Sequence, residues 1–204
     1  MPTYQGFDVL ELEPSDLGDR AMNYTRSLFR HDSRTGKLRV LDRSGVAVVQ
    51  PSGFVWLMEG RTEIQAYRAF IAARKGALVP FWVPTWRHDL QMAADLGAGN
   101  VNLSITKIGY AKFMFSTPAR RHLAFILADG TKYYRKVTAA AESTDTETLT
   151  LDSAIGVLVP AASTMLCFLT LCRLAVDDPE LAWHNRDLAE AVLDFVELPR
   201  EAPA

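Results

Sequence analysis

The residues best suited by type to nucleophilic chemistry are Cys167 and Cys172, both in the run Met165–Leu174, with His184 further along the chain. A Cys–His pair attacks a carbonyl carbon only when the sulfur is held as thiolate. That needs a helix N-terminus or a neighbouring cation in a partly open cleft. Here Phe168, Leu169 and Leu171 surround the thiols in sequence, and burial among such residues raises a thiol pKa. If the segment is a strand, the odd separation sends the two cysteines to opposite faces. A disulfide between them is then excluded by geometry, and no further ligands lie near enough in sequence for a metal site. Both read as buried thiols acting as small hydrophobes.

The four histidines, His31, His88, His122 and His184, are scattered near turns and strand edges. His88-Asp89 is the most site-like, because a carboxylate beside an imidazole can set its tautomer. Sequence neighbours point to opposite faces of a strand, however, which separates the two. Ser52 lacks the flanking glycines of a nucleophile elbow. The acids Asp177-Asp178 and Glu142/Asp145/Glu147 fall in expected loops without cationic or apolar companions and read as solvated. Gly97-Ala98-Gly99 opens no helix and no Lys-Ser/Thr follows it, so it does not form a phosphate loop. No catalytic, cofactor-binding or metal-ligating set is expected, and the chain is not expected to be an enzyme.

The chain has 204 residues, 49% hydrophobic and 23% charged, with a net charge of −2. That is enough apolar material for a real core, in one large domain or in a domain carrying an insertion. No Lys/Arg run exceeds two residues, which argues against binding to a phosphate backbone. The apolar run Thr164–Leu171 is too short to span a bilayer, and the first residues lack the basic and apolar regions of a secretory signal. A protein made and kept in the cytoplasm, or assembled there, is expected.

The elements that would position any site are mostly strands. Arg26–Arg30, Leu38–Leu41 and Val46–Val49 are short β-rich runs split by the polar turns 31–36 and 42–45, which is hairpin punctuation. Phe54–Met58 reads as a buried strand. It feeds a helix over 62–75 in which Thr62 caps the N-terminus and Gln65 completes a capping box. Ile64, Tyr67, Phe70 and Ile71 make its apolar stripe. Arg74 and Lys75 suit the C-terminus, and Gly76 is a left-handed stop. Leu78–Pro84 cannot continue the helix because of Pro80 and Pro84. From about 88 to 160 the runs Val101–Ile108, Ala111–Phe115, Leu123–Leu127, Tyr133–Val137 and Thr148–Leu151 recur as short strands. Asp129-Gly130 marks a hairpin turn between two of them, and the spacing suggests a small barrel or sandwich. The segment 187–198 fits both a helical stripe and strand alternation. Propensity alone favours helix.

Aromatic residues are the remaining candidates. Trp56, Trp82, Trp86 and Trp183, with Phe81, Phe113, Phe115, Tyr133 and Tyr134, could form a sugar-stacking platform. Core packing or subunit contact is the competing use, since tryptophan is enriched in both.

The pattern resembles siphophage tail-tip proteins of the distal tail protein class, related to tail-hub proteins of prophages and gene transfer agents. The residues that carry it are Phe29–Asp32 with Thr35-Gly36, Trp56–Ile64, Phe70–Gly76, Pro80–Trp86 with Asp89, and Leu171–Asp177 through Trp183 to Phe195–Pro199. The resemblance implies a mainly β fold: a β-sandwich belt domain, 1–87 and 164–204, with one α-helix, 62–75, and an inserted small β-barrel, 88–163. It turns 187–198 into a returning strand, and we take that reading over propensity. It further implies a homo-hexameric ring at the virion tail tip, assembled in the host cytoplasm, that joins the tail tube to the baseplate hub. Expected partners are copies of itself, the tail tube protein, the tape measure protein and the baseplate hub protein. DNA would pass without specific binding, through a lumen that a near-neutral to acidic subunit suits, and no membrane insertion is expected. A receptor- or glycan-binding module of the tail tip is the alternative. Trp56, Ile64, Tyr67, Phe70, Ile71, Phe81, Trp82, Trp86 and Trp183 are then structural or interface candidates: the helix residues anchor it, and Phe81, Trp82 and Trp86 lead the chain into the insertion.

Overall fold

The structure is a computed structural model that describes residues 2–15, 21–26, 28–32, 38–42 and 48–203. In chain order the strands begin with β1 (Thr3–Tyr4), β2 (Phe7–Asp8), β3 (Ala21–Thr25), β4 (Leu28–Asp32), β5 (Leu38–Asp42), β6 (Val48–Ser52) and β7 (Phe54–Glu59). Helix α1 (Arg61–Arg74) leads to β8 (Phe81–Pro84) and β9 (Asn102–Thr106), and the short helix α2 (Tyr110–Phe113) precedes β10 (His122–Ile126). Then follow β11 (Lys132–Glu142), β12 (Thr146–Leu151), β13 (Met165–Leu174), β14 (Leu181–Trp183), β15 (Leu188–Leu193) and β16 (Phe195–Glu197). Strand takes 43% of the residues and helix 12%, in several antiparallel sheets, so the fold is mainly β.

The chain divides into two compact units. The first comprises Met1–Glu11, Phe81–Leu171 and Arg200–Ala204, so it holds the segment 88–163 together with residues near both ends of the chain. Its ladder runs β13-β10-β11-β12-β9, with β8 also beside β13. β10 is buried along its whole length because strands flank it on both sides. Alternation sends Leu103 and Ile105 of β9, and Leu149 and Leu151 of β12, into a core with Leu123, Phe125, Val137 and Leu166. The barrel expected for 88–163 is not closed among the described residues. Among the described residues β9 and β13 do not pair with each other; the isolated bridges Met92 to Ile105 and Leu90 to Leu166 tie the segment 90–92 to each strand. The hairpin signal at Asp129-Gly130 is a tight turn: Gly130 takes φ +82, Leu127 N–H donates to Thr131 O at 2.9 Å, and Asp129 Oδ1 accepts from Thr131 N–H at 2.8 Å.

The expected strand Ala111–Phe115 is instead largely helical, so among the described residues there are two α-helices, the second, α2, lying inside 88–163. Gly109 turns the chain at φ +80. A carboxylate from β12 then accepts the backbone N–H groups of the first turn, a pairing that an extended segment could not offer in the same way.

The second unit comprises Leu12–Pro80 and Cys172–Pro199. It contains the sheet β14-β15-β7, the ladders β3–β6 and β4–β5, and β16 paired with the end of β13. The ambiguous segment 187–198 forms β15 and β16: β15 lies against β7 from Leu188↔Glu59 to Leu193↔Phe54, and that neighbour decides between the two periods. Phe54, Trp56 and Phe195 pack together, with Phe54 and Phe195 ring centroids 5.3 Å apart.

Helix α1 starts at Arg61, one residue before the expected 62–75 span, and ends at Arg74. Thr62 is not its cap, and Gln65 does not close a capping box: Gly60 is the N-cap, at φ 85, with no side-chain cap. Glycine takes that conformation at little cost, and Gly60 N–H donates to Asp187 O at 2.7 Å. Glu63 supplies the reach-back, accepting Glu59 N–H at 3.0 Å. Ile64, Tyr67 and Phe70 form the buried stripe, continued by Arg74, while Ile71 is half-buried. At the far end Lys75 (φ 52) and Gly76 (φ 68) are both left-handed.

Candidate functional site

The thiols behave as their apolar neighbours suggest. Cys167 and Cys172 form no disulfide, and both are buried. Cys167 Sγ lies 3.7 Å from Ala124 O. Burial first, and then the Asp89 charge, pushes its thiol up to about 12, so it is no nucleophile at neutral pH. His184 faces Glu190, Nε2 to Oε2 2.9 Å, on the surface of the other unit.

His88 is exposed, and Asp89 turns elsewhere. The Asp89 carboxylate accepts from the Thr85 hydroxyl in a very short contact and from Phe168 N–H at 2.8 Å. Burial raises its pKa above the ordinary carboxylate range, against those hydrogen bonds and the Arg120 and Arg87 charges. This is a structural brace for β13 and not an acid–base pair with histidine. Ser52 is half-buried at the end of β6. His31 lies on β4, but its side chain is outside the described residues.

Among the histidines whose side chains are described, His122, on β10, is the buried one. It is fully buried, with Nε2 3.0 Å from Pro203 O and Nδ1 3.0 Å from Tyr4 Oη. A carbonyl only accepts, so Nε2 carries the proton and Nδ1 accepts the Tyr4 O–H. Burial lowers the imidazole pKa and raises that of the Tyr4 phenol. Trp82 packs against the imidazole at a tilt, 4.6 Å between ring centroids, and its Nε1–H donates to Tyr4 O at 2.8 Å. Glu11 adds to the same fastening: Oε1 accepts the Tyr134 hydroxyl at 2.9 Å, and its carbonyl accepts Lys132 Nζ at 2.5 Å. The cluster fastens residues near both ends of the chain to the first unit.

Glu147 departs most from the sequence reading. Expected in a solvated loop, it is wholly buried on β12. Its Oε2 accepts Ile108 N–H at 3.0 Å and Tyr110 N–H at 2.9 Å, and Oε1 accepts Ala111 N–H at 2.8 Å. Burial opposes the charge, but the backbone donors outweigh it and hold the carboxyl below the usual range. A signal was present: Glu147 shares parity with Leu149 and Leu151, so a strand that buries those leucines must bury it too. Asp177 is likewise no idle surface acid, since Oδ1 accepts Ala77 N–H at 2.9 Å. Glu142 pairs with Lys107 at 2.5 Å. The Gly97–Gly99 stretch is a turn closed by Asn100 N–H to Gly97 O at 2.9 Å.

The candidate aromatic residues separate by exposure. Trp56, Ile64, Tyr67, Phe70, Phe81, Trp82 and Trp86 are buried, and Ile71 is half-buried. Trp56 Nε1–H donates to Leu12 O at 3.0 Å. The Tyr67 phenol is pushed up to about 12 by burial. Trp183 is different: it is 54% exposed and lines a cavity of about 250 Å³ with Arg61, Ile64, Gln65, Arg68 and Arg186. Gln65 and Arg68 continue into a second hollow of about 500 Å³ between α1 and β14, bounded by Leu181 and Pro179. Phe113 is also in the open, while Phe115 and Tyr133 are half-buried and Tyr134 is buried. The sequence does not foretell that α1 brings Arg61 and Arg68 beside Trp183, because the pairing depends on a β14 more than a hundred residues away.

Among the described residues no three His, Cys, Asp or Glu side chains are grouped to hold a metal ion, and no helix is long and apolar enough to cross a membrane. Compared with known proteins, the chain matches no family model and no curated sequence.

Proposed function

We propose that this chain is a structural subunit of a siphophage-type tail tip, of the distal tail protein class. It closes with copies of itself into a homo-hexameric ring that joins the tail tube to the baseplate hub and leaves a channel for DNA. In that role the β-sheets around α1 form a sandwich-like belt, and the segment 88–163 is an insertion in it. The tail tube, tape measure and baseplate hub proteins are its partners, and the assembled virion tail tip is its place.

The observation that carries this reading is large apolar side chains gathered in the open. On the second unit, Phe29 and Leu41 are direct cross-strand partners and both are exposed, and Val40 is exposed on the opposite face of the same pair of strands. Leu78 is 65% exposed and Val176 is half-exposed, in segments that meet where Asp177 bonds Ala77. Apolar surface gathered this way marks contact between proteins more often than idle surface. The order of strand, single long helix and strand in β7-α1-β8 agrees with the resemblance. Mass measurement of the purified chain tests it: a closed six-fold species is expected, and a chain that stays monomeric at micromolar concentration overturns it.

A second reading, a receptor- or glycan-binding module, is favoured by Trp183 beside Gln65 and the arginines of its cavity, since an open indole with amide and guanidinium donors suits a sugar ring. Saccharide titration followed by tryptophan fluorescence, with Trp183→Phe as control, separates it from the first. A saturable change lost in the variant supports it, and a flat response removes it.

A further inference from the structure

We infer, resting on the glycan reading above, that the trough between α1 and β14 takes an acidic saccharide, a sugar ring lying on Trp183 and its carboxylate held by Arg68 and Arg186. Every residue involved belongs to the second unit.

The trough has a helical wall and a strand wall. Arg61, Gln65 and Arg68 are four and three residues apart on α1, so they stand in one row, about one turn from each other. Leu181 and Trp183 are two apart on β14 and share a face. Trp183 borders the hollow of about 250 Å³, and Leu181 borders the one of about 500 Å³. Gln65 and Arg68 line both, so the two hollows adjoin along the helix. The larger is within the range of about 300–1,000 Å³ usual for ligand sites. Two adjoining hollows suit a ligand of more than one ring.

The lining is one-sided in charge. Arg61, Arg68 and Arg186 contribute to it, and no Asp or Glu does. The acids close by in sequence are engaged elsewhere or stand outside. Asp187 lies 3.5 Å from Arg61, Glu190 faces His184 at 2.9 Å, and Glu63 accepts Glu59 N–H. Asp178 and Glu180 are exposed and line neither hollow. Among the described residues Arg68 and Arg186 have no ion-pair partner. A guanidinium offers a planar fork of donors that grips a carboxylate at two points. A nucleic-acid backbone needs a longer cationic track than three arginines. Trp183 favours a sugar over an acidic peptide, because its open indole presents a flat apolar face to the C–H side of a pyranose, with the Gln65 amide beside it for hydroxyls.

Titration of the full chain tests this. One probe is a tetramer of galacturonic acid, and the other is its methyl ester, which keeps the rings and linkage and loses the charge. Calorimetry reads affinity and tryptophan fluorescence reads the indole. The acid is expected to bind at least about tenfold more tightly than the ester, and Arg68→Gln or Arg186→Gln to weaken it about tenfold. Arg68→Lys, which keeps the charge without the fork, should fall between parent and Arg68→Gln. Trp183→Phe should abolish the fluorescence change. These side chains are exposed, and thermal melts confirm that each variant is folded. Acid and ester binding alike overturns the preference for charge and leaves the glycan reading standing. Binding of neither overturns both. Poly-glutamate or a single-stranded DNA oligomer that binds as tightly as the acid overturns the saccharide assignment. Arginine variants that keep the parent's affinity overturn the site.

Discussion

Glu147 lies with no exposed surface, and its carboxylate is 2.9 Å from the backbone N–H of Tyr110. With Ile108 and Ala111 also donating, one side chain on β12 satisfies three of the donors that open α2. Removing it leaves the Tyr110 N–H buried without that partner, at about 1–3 kcal/mol before relaxation, and the part-buried Ile108 and Ala111 N–H groups at less, since water reaches them more easily. Glu147→Ala is expected to destabilise the protein by about 3 kcal/mol. Glu147→Gln, which keeps an acceptor but loses the charge, should cost roughly half of that. Urea unfolding measures both, and an alanine variant as stable as the parent would mean α2 does not need this cap. The folded-state carboxyl is depressed below its ordinary value of 4.5. Its contribution is therefore complete above that pH and lost as pH falls through the folded-state pKa.

His122 gives a second pH dependence at a different pH. Its pKa is lowered on folding, chiefly by burial, from an ordinary 6.5. Above 6.5 both folded and unfolded chains hold it neutral, and the Tyr4–His122–Pro203 fastening is intact. Below that, the unfolded chain takes up the proton first, so stability declines as pH falls from 6.5 towards the folded-state pKa. Melting temperature against pH should bend downward in this window for the parent and less so for His122→Gln. Equal curves would show that the imidazole is not the titrating group.

Gly76 and Asp177 give a test that separates strain from clash. Gly76 has φ +68, and a methyl group there would lie 2.7 Å from Asp177 Oδ1. Gly76→Ala carries both penalties and is expected to cost about 2 kcal/mol. In the Asp177→Ala background the 2.7 Å contact is gone, and the backbone strain remains with a milder 3.2 Å approach to the Cβ of residue 177, so the same change should cost about 1 kcal/mol. The difference is a double-mutant cycle read by chemical denaturation. Equal costs in both backgrounds would assign the requirement for glycine to φ alone.

Where the sequence could be read, it was through local periodicity. The apolar stripe of α1 and the Asp129-Gly130 turn depend on residues within a few positions of each other. Thr62 and Gln65 misled because a capping pattern is also a local signal, and the true start is set by Gly60 N–H reaching Asp187 O, far away in sequence. The segment around Tyr110 is the reverse case: β-rich text folded into a helical turn by Glu147, thirty-seven residues on. Burial was legible where alternation was strict, as for Leu149 and Leu151. The surface was not. Nothing near Trp183 in sequence reveals Arg61 and Arg68, and nothing near Leu78 reveals Val176.

Both cysteines should resist modification until the chain opens. Cys167 is wholly buried, and its thiol is pushed up to about 12, first by burial and then by the Asp89 charge. At pH 8 its thiolate fraction is then about a thousandfold below that of a free thiol with pKa near 8.5. Access adds a further barrier, because Cys172 is buried as well, on the same strand β13. A disulfide reagent added to the native protein at pH 8 should therefore release chromophore slowly, at a rate that rises with urea as opening becomes frequent. In full denaturant two equivalents should react at once. Asp89→Asn removes a charge that disfavours the thiolate, but it leaves burial in place, so native labelling should stay slow provided the variant keeps its melt. One equivalent reacting rapidly in the native chain would show a thiol in contact with solvent, and with it a reactivity that the packing around Phe168 and Leu169 does not permit.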